Sequence, residues 1–328
     1  MRAEALSPIR TPSRNMRRRW SKRRDGFRQS ARCRKRKRMS RWAWYNGRLC
    51  TESEILLPVR DTAVLHGASL FETLRCYGGH PFRLEQHLQR LRRWMGRLHL
   101  FARSREMIDL STPTVRHAIA SLLKANGFFE GDTRLRITVT AGSEEIPPTC
   151  FMLAERISPE QIAKWQAGIT AVLLPDPRGV TGEQPKWGNY AWHIEAQQLA
   201  KEQGADEAIW FNREGYVTEG ALSNVFVWHG ERLLTPPLEE GILAGITRQV
   251  VIEIAQQMGI ECREERIPAS LLPHAQAIFL TSSVREIVPV VRLDSAPLHV
   301  HPVVARLQTA YHALIKQEVQ PCLEMTAE

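Results

Sequence analysis

The chain has 328 residues, 43% hydrophobic and 24% charged, the composition of an ordinary globular protein. At roughly 150 residues per domain this length allows about two domains. The formal net charge is +10, which raises a nucleic-acid function. Residues 1–38, however, hold 16 of the 45 Lys and Arg and only two of the 35 acids, Glu4 and Asp25. The rest therefore carries 29 basic against 33 acidic residues, a net of −4, and offers no general anion-attracting field. No apolar run approaches the roughly 18 residues that a membrane helix needs.

The basic segment includes "MRRRWSKRRDGF" and "CRKRKR" and has no apolar periodicity. Like-charge blocks of this kind stay solvated and disordered. It lacks the apolar centre of a secretory signal. Three readings are open: a translated extension ahead of a start at Met39, an organelle transit peptide, or a nucleic-acid-binding arm. The six cysteines (Cys33, Cys50, Cys76, Cys150, Cys262, Cys322) are widely spaced without a C-x-x-C pair. That spacing fits reduced thiols in a cytoplasmic enzyme better than a disulfide framework or a zinc site. The histidines show no metal-ligand spacing either, so no metal is expected.

In chain order, Asn46-Gly47 between apolar flanks predicts a tight hairpin. "SLFETLRCYGGHPFRL" predicts two strands around Gly78-Gly79. Leu84, Leu88, Leu91, Met95 and Leu98 recur at helical spacing, and a second helix is expected from Val115 to Ala125. "RLRITVTAG" and "CFMLAERI" are strand-like. "SPEQIAKWQAG" lacks a core face, which places a domain junction at 158–166. Beyond it, "ITAVLLP" predicts a buried strand and 192–203 a helix. Hairpins are expected around Asn212–Gly215 and His229-Gly230, then a helix over 247–258. Strands follow at "IECREE", "QAIFLTS" and "EIVPVVRL", with a closing helix over 303–316. The expected division is a basic extension (1–38), a small α+β domain (39–157), the linker (158–166), a large domain (167–320) and a tail (321–328). Both domains are expected to be α+β with largely antiparallel sheets.

Five segments in order carry a family resemblance: "LFETLRCYGG", "FRLEQHLQRL", "KWGNY", "GADEAIWFNREGYVTEGALSNVF" with "TPPL", and "GILAGITR" followed by "TSSVREIVPV". Together they resemble the class IV aminotransferases, the fold-type IV pyridoxal-phosphate enzymes. That family includes branched-chain and D-amino acid aminotransferases and aminodeoxychorismate lyases. The resemblance implies a fold like that of D-amino acid aminotransferase, with a small N-terminal α/β sandwich and a larger C-terminal pseudo-barrel. It implies pyridoxal 5'-phosphate as cofactor, an amino acid and a 2-oxo acid as substrates, and a homodimer.

Residue by residue, Lys186 stands where the family has its Schiff-base lysine, and Glu219 where a carboxylate faces the pyridine nitrogen. Arg90 matches the phosphate-binding arginine, and Tyr190 the tyrosine at the ring oxygen. Ile246 and Thr247 begin a helix after Gly245, a terminus whose free N–H groups suit a phosphate, and Ser283 resembles a second hydroxyl donor. On the substrate side the resemblance points to Phe71, Arg136 and His66. His66 departs from the family's usual Tyr or Phe, and "GSEEIPP" is shorter than the substrate loop of branched-chain enzymes. Tyr190 after Asn189, where lyases often have arginine, favours transfer over elimination. Aminodeoxychorismate lyase is the alternative activity, and a nucleic-acid role through the tail the distant one.

Overall fold

The computed structural model describes residues 41–324; the basic extension and its three readings lie outside them. Asn46 and Gly47 take φ of 44° and 90°, the left-handed pair that a type I′ turn requires. β1 (Trp42–Tyr45) and β2 (Arg48–Thr51) therefore fold back as the expected hairpin. β3 (Ser69–Tyr77) and β4 (His80–Pro81) turn at Gly78-Gly79. With β5 (Asp132–Thr140) and β6 (Cys150–Arg156) they make a six-stranded sheet ordered β2-β1-β6-β5-β3-β4. All its pairs are antiparallel.

The helix Leu84–Arg97 packs on β3 because its stripe of Leu84, Leu88, Leu91 and Met95 is apolar and buried. The helix Thr112–Asn126 buries Val115, Ala118, Ile119, Leu122 and Leu123 in the same core and ends at Gly127, whose φ is 68°. Between β2 and β3 the chain forms a short helix, Thr62–His66, that the sequence pattern does not announce. It starts because the Asp61 carboxylate caps the Ala63 N–H at 2.8 Å, a local signal independent of periodicity.

The stretch expected as a linker is a helix, Pro159–Ala167. Its capping box joins Ser158 and Gln161, with Pro159 in the first turn. These end signals outweigh the absence of a core face. A second sheet follows, built from β7 (Ile169–Pro175), β8 (Glu207–Phe211), β9 (Val217–Gly220), β10 (Asn224–His229), β11 (Arg232–Thr235), β12 (Cys262–Glu264), β13 (Ala277–Ser282), β14 (Glu286–Leu293) and β15 (Ala296–Pro297). Its order is β12-β11-β10-β13-β14-β7-β8-β9, with β15 on β14. This sheet is largely antiparallel, as expected, but mixed: β11–β12, β14–β7 and β7–β8 pair in parallel. The β7–β8 connection runs through the helix Ala191–Glu202, as a parallel pair demands.

The helix Ile246–Gln257 and the closing helix pack on this sheet through Val250, Val251, Ile254, Val304, Leu307 and Tyr311. The closing helix runs from Pro302 to Glu324, past the stop expected at Lys316, so the start of the expected tail is helical. Among the described residues no helix is long and apolar enough to cross a membrane.

The two sheets meet at a cluster of buried charge. Arg75 of β3 pairs with Asp132 of β5 and with Glu286 of β14, the latter at 3.0 Å. Glu286 also accepts from Tyr77 Oη at 2.7 Å and lies 2.6 Å from His312 Nε2. These partners hold Glu286 at φ 64°, a left-handed conformation that a β-carbon disfavours. The hydrogen bond to Glu286 raises the His312 pKa above its ordinary value. A raised folded pKa stabilises fully below the unfolded value and fades as pH climbs through the folded one. Chemical denaturation midpoints of wild type should therefore lose ground relative to His312→Gln as pH rises above about 6.5, the ordinary histidine value. A constant difference would show that the ion pair contributes nothing.

Candidate functional site

Lys186 belongs to no helix or strand of its own; backbone bonds hold it. After β7 the chain returns across β3, where Phe71 N–H donates to Lys186 O at 3.0 Å and Gly188 N–H donates to Ser69 O at 2.6 Å. On its other side Gln184 N–H donates to Ile242 O at 3.2 Å. The lysine segment is thus stitched between the first sheet and the loop that leads into the helix Ile246–Gln257. Gly188 makes the approach sterically feasible, since a Cβ there would stand 1.8 Å from Ser69 Oγ.

Lys186 Nζ lies 4.7 Å from the Phe71 ring centre and 5.8 Å from that of Tyr190. Burial depresses its pKa to about 8, with Arg90 and Arg136 adding to the effect and Glu72 and Glu219 opposing it. Such a lysine carries a large neutral fraction near neutral-to-basic pH and is a competent nucleophile.

The helix Leu84–Arg97 presents Arg90 and His87 side by side toward Glu72, a carboxylate on β3. Arg90 donates to Glu72 from Nε at 2.8 Å and Nη2 at 2.6 Å, and from Nη1 to Ala244 O at 2.5 Å. One N–H on Nη1 and one on Nη2 stay available. Burial alone would raise the Glu72 pKa, but Arg90 and His87 outweigh it and hold it at about 2. His87 Nδ1 lies 2.7 Å from the same carboxylate, and its Nε2 lies 3.3 Å from Ser283 Oγ. Ile246 and Thr247 open their helix after Gly245, which has no side chain to cap them. Their N–H groups therefore begin a positive helix terminus beside Arg90 and Ser283.

Opposite this group lies Glu219, at the end of the β8–β9 hairpin. Arg178 Nη1 donates to its Oε1 at 2.7 Å and Leu243 N–H to its Oε2 at 3.0 Å. Burial nevertheless pushes the carboxyl above its ordinary pKa, against the pull of Arg178. Arg178 is itself held by Asp176 at 2.7 Å and sits over Trp210, 4.3 Å from the ring centre. Tyr190 stacks on His193 with centroids 3.8 Å apart and planes 7° from parallel. His193 Nδ1 bonds Ala221 O at 2.7 Å, and burial lowers its pKa to about 4, so the ring is neutral.

Arg136 sits over Phe71, its Cζ 3.6 Å from the ring centre, and donates from Nε to Thr138 Oγ1 at 3.2 Å. Among the described residues no carboxylate pairs with it. Phe71, Arg90, Arg136, Lys186, Tyr190 and Glu219 all face one cavity of about 970 Å³, and Ile246, Thr247 and Ser283 line the same space. His66 does not. The Asp61-capped helix turns it outward, and it is exposed with Val64 and Leu65.

The sequence reading passed over Glu72, His87, Arg178 and His193 as site residues. Glu72 carried a signal: an acid inside the apolar run "SLFETL" must be partnered once the strand is buried. His87 shares the face of Leu84 and Leu91, a weaker sign. Arg178 sits in a Pro/Gly loop and carried none.

Three comparisons with known proteins agree on a relationship. The profile of the amino-transferase class IV family matches residues 69–293. A putative branched-chain-amino-acid aminotransferase of Methanocaldococcus jannaschii is 32% identical over 261 residues, spanning 76% of this chain and 87% of that protein. An aminodeoxychorismate lyase of Bacillus subtilis is 29% identical over 260 residues, spanning 76% and 86% respectively. The structure of a hypothetical aminotransferase from Mycobacterium tuberculosis in a PLP-bound form is similar with a TM-score of 0.73 at 25% identity. It spans 84% of this chain and 99% of that one.

The Arg178–Glu219 pair is nearly buried, with side-chain exposures of 11% and 7%. Removing one partner leaves a buried charge uncompensated, at a cost of about 3–5 kcal/mol. Arg178→Gln should lower stability on that scale in denaturant titrations, and adding Glu219→Gln should recover part of the loss. Additive losses would show the two side chains to be uncoupled.

Proposed function

The chain belongs to the amino-transferase class IV family, and on that premise we propose that it transfers an amino group between an amino acid and a 2-oxo acid with pyridoxal phosphate bound covalently at Lys186. The observation that carries this is the cavity itself. One neutralisable lysine, one anion-binding end and one buried carboxylate converge there, as the cofactor's aldehyde, phosphate and ring nitrogen require. The donor set fits the group. The spare N–H groups of Arg90, the first N–H groups of the helix at Ile246 and Thr247, and the hydroxyls of Thr247 and Ser283 would hold the phosphate.

When bound, pyridoxal phosphate supplies an electron-withdrawing ring that stabilises negative charge at the substrate Cα. In this reading Glu219 keeps a proton on the ring nitrogen, and Arg178 keeps Glu219 aimed. Tyr190 directs its phenol to the ring oxygen and is held in place by His193. With the cofactor and substrate bound, the Lys186 amine would stand at the cavity wall as the base that moves the proton at the substrate Cα. Its pKa near 8 lies close to working pH, where acid and base roles are both accessible. Phe71 and Arg136 form the substrate side, where the unpaired guanidinium suits a carboxylate.

The reading includes a homodimer, with exposed Val64 and Leu65 and neighbouring His66 as a candidate part of its contact. Aminodeoxychorismate lyase is the second activity supported by a specific finding, the similarity to the Bacillus subtilis enzyme. Tyr190 following Asn189 favours transfer.

Purified full-length protein reconstituted with pyridoxal phosphate should show visible absorbance, and Lys186→Ala should lose it. Single-turnover mixing with a panel of L- and D-amino acids should shift that absorbance for at least one of them. A protein that no amino acid converts, but that releases pyruvate from aminodeoxychorismate, is the lyase. Borohydride trapping of pyridoxal phosphate on Lys186 should rise with a midpoint near pH 8, as its pKa of about 8 requires. A midpoint near the ordinary lysine value would contradict the depressed amine.

A further inference from the structure

His87 is 1% exposed, and nothing in the proposed reaction uses it. Its two ring nitrogens are nonetheless both committed. Nδ1 lies 2.7 Å from Glu72 Oε2, and Glu72 is an ionised carboxylate, able only to accept. Nδ1 must therefore carry a proton in every state of the ring. All freedom is left at Nε2, which lies 3.3 Å from Ser283 Oγ.

A neutral His87 presents a lone pair at Nε2. The Ser283 hydroxyl then donates its single proton to the imidazole and offers only lone pairs to the cavity. Lone pairs repel a phosphate dianion, whose oxygens only accept. A protonated His87 reverses this, because its Nε2–H donates to Ser283 Oγ and frees the hydroxyl proton to point at the phosphate. The two orientations of one hydroxyl are thus set by one proton about two bonds away. We propose that His87 is a positioning residue that takes up a proton when the phosphate binds and thereby turns Ser283 into a phosphate donor.

The charged groups around His87 suit this role. Glu72 from β3 faces its Nδ1 and favours the protonated ring. Arg90 on the same helix and Lys186 from the loop across the cavity disfavour it. Burial, Arg90 and Lys186 together keep the ring neutral in the cofactor-free protein, against Glu72. A dianion arriving beside Arg90 and Ser283 adds the negative charge that tips the balance.

The inference rests on the cofactor reading above, and the test separates the two. The full chain, freed of cofactor, is titrated calorimetrically with pyridoxal phosphate at about pH 8, where a phosphate with a second pKa near 6 is a dianion. Buffers of different ionisation enthalpy give the protons exchanged. Wild type should take up about one proton more per cofactor than His87→Gln, whose amide cannot titrate. In the pH range of that uptake, wild-type affinity should fall with rising pH by up to about tenfold per unit relative to the variant. His87→Asn, a shorter amide that cannot titrate either, keeps the test open if the Gln variant folds poorly, and should also lose the extra proton. Tight binding with equal proton counts in wild type and variants overturns this inference alone. Absence of binding by wild type overturns it together with the cofactor reading.

Discussion

Two backbone hydrogen bonds between β3 and the lysine segment organise everything else in the cavity. Phe71 N–H and Gly188 N–H bind the segment as though it were a further strand of the first sheet. β3 in turn carries Phe71 beneath the lysine amine, Glu72 behind Arg90, and Arg75 at the junction with the second sheet. Since neighbouring residues of a strand point to opposite faces, Phe71 meets the cavity while Glu72 reaches the helix that covers the sheet. One strand therefore sets the height of the amine, the orientation of the anion-binding arginine and the separation between sheets. The fit is tight because Ser69 lies where any larger residue at 188 would need to be.

Charge in the cavity is paired around Glu72 and Glu219, while among the described residues Arg136 faces the space without a carboxylate partner. Arg90 and Arg136 lie on the lysine side and help strip its proton, whereas Glu72 and Glu219 limit how far that goes. Glu72 commits both oxygens to Arg90 and His87, which keep it charged against the effect of burial. Glu219 is treated differently: Arg178 and a single backbone N–H hold it, and burial keeps its pKa high. A carboxylate that is buried, hydrogen-bonded and reluctant to ionise is well matched to sharing a proton with a heterocyclic nitrogen. The stacked pair of Tyr190 and His193, with Trp210 tilted against His193 and Arg178 over Trp210, ties that corner to the lysine loop.

Much of this was legible in the sequence, for reasons that differ from residue to residue. The Asn46-Gly47 hairpin and the leucine stripe from Leu84 to Met95 follow from local chemistry and periodicity, and the structure has both. Lys186 has no local signature; only the order of the surrounding motifs singled it out, and the cavity brings it together with Arg90, Glu219 and Thr247. Pro159–Ala167 joins the two sheets as a helix, a form the sequence does not announce because its evidence lies in its caps rather than in a face. Parallel pairing between β7 and β14 joins strands far apart in the chain and leaves no trace in either strand alone. His66 was assigned by motif position, but the short helix that carries it points outward. Arg178 became visible only through its partners, since an arginine in a Pro/Gly loop is ordinarily surface.

The contacts that close the cavity span much of the chain. Arg75 donates to the Val284 carbonyl 209 positions away at 2.9 Å, and Ser283 meets His87 across 196 positions. During synthesis the first sheet and the lysine segment can emerge and pair while Ser283 and Glu286 are still untranslated. Until those residues leave the ribosome, Glu72 and Arg90 satisfy each other but the anion site lacks the wall that Ser283 supplies. A prematurely terminated chain would thus contain the reactive lysine without the walls that orient it. Chain elongation itself, proceeding from amino to carboxyl end, delays assembly of the site until the second sheet is complete.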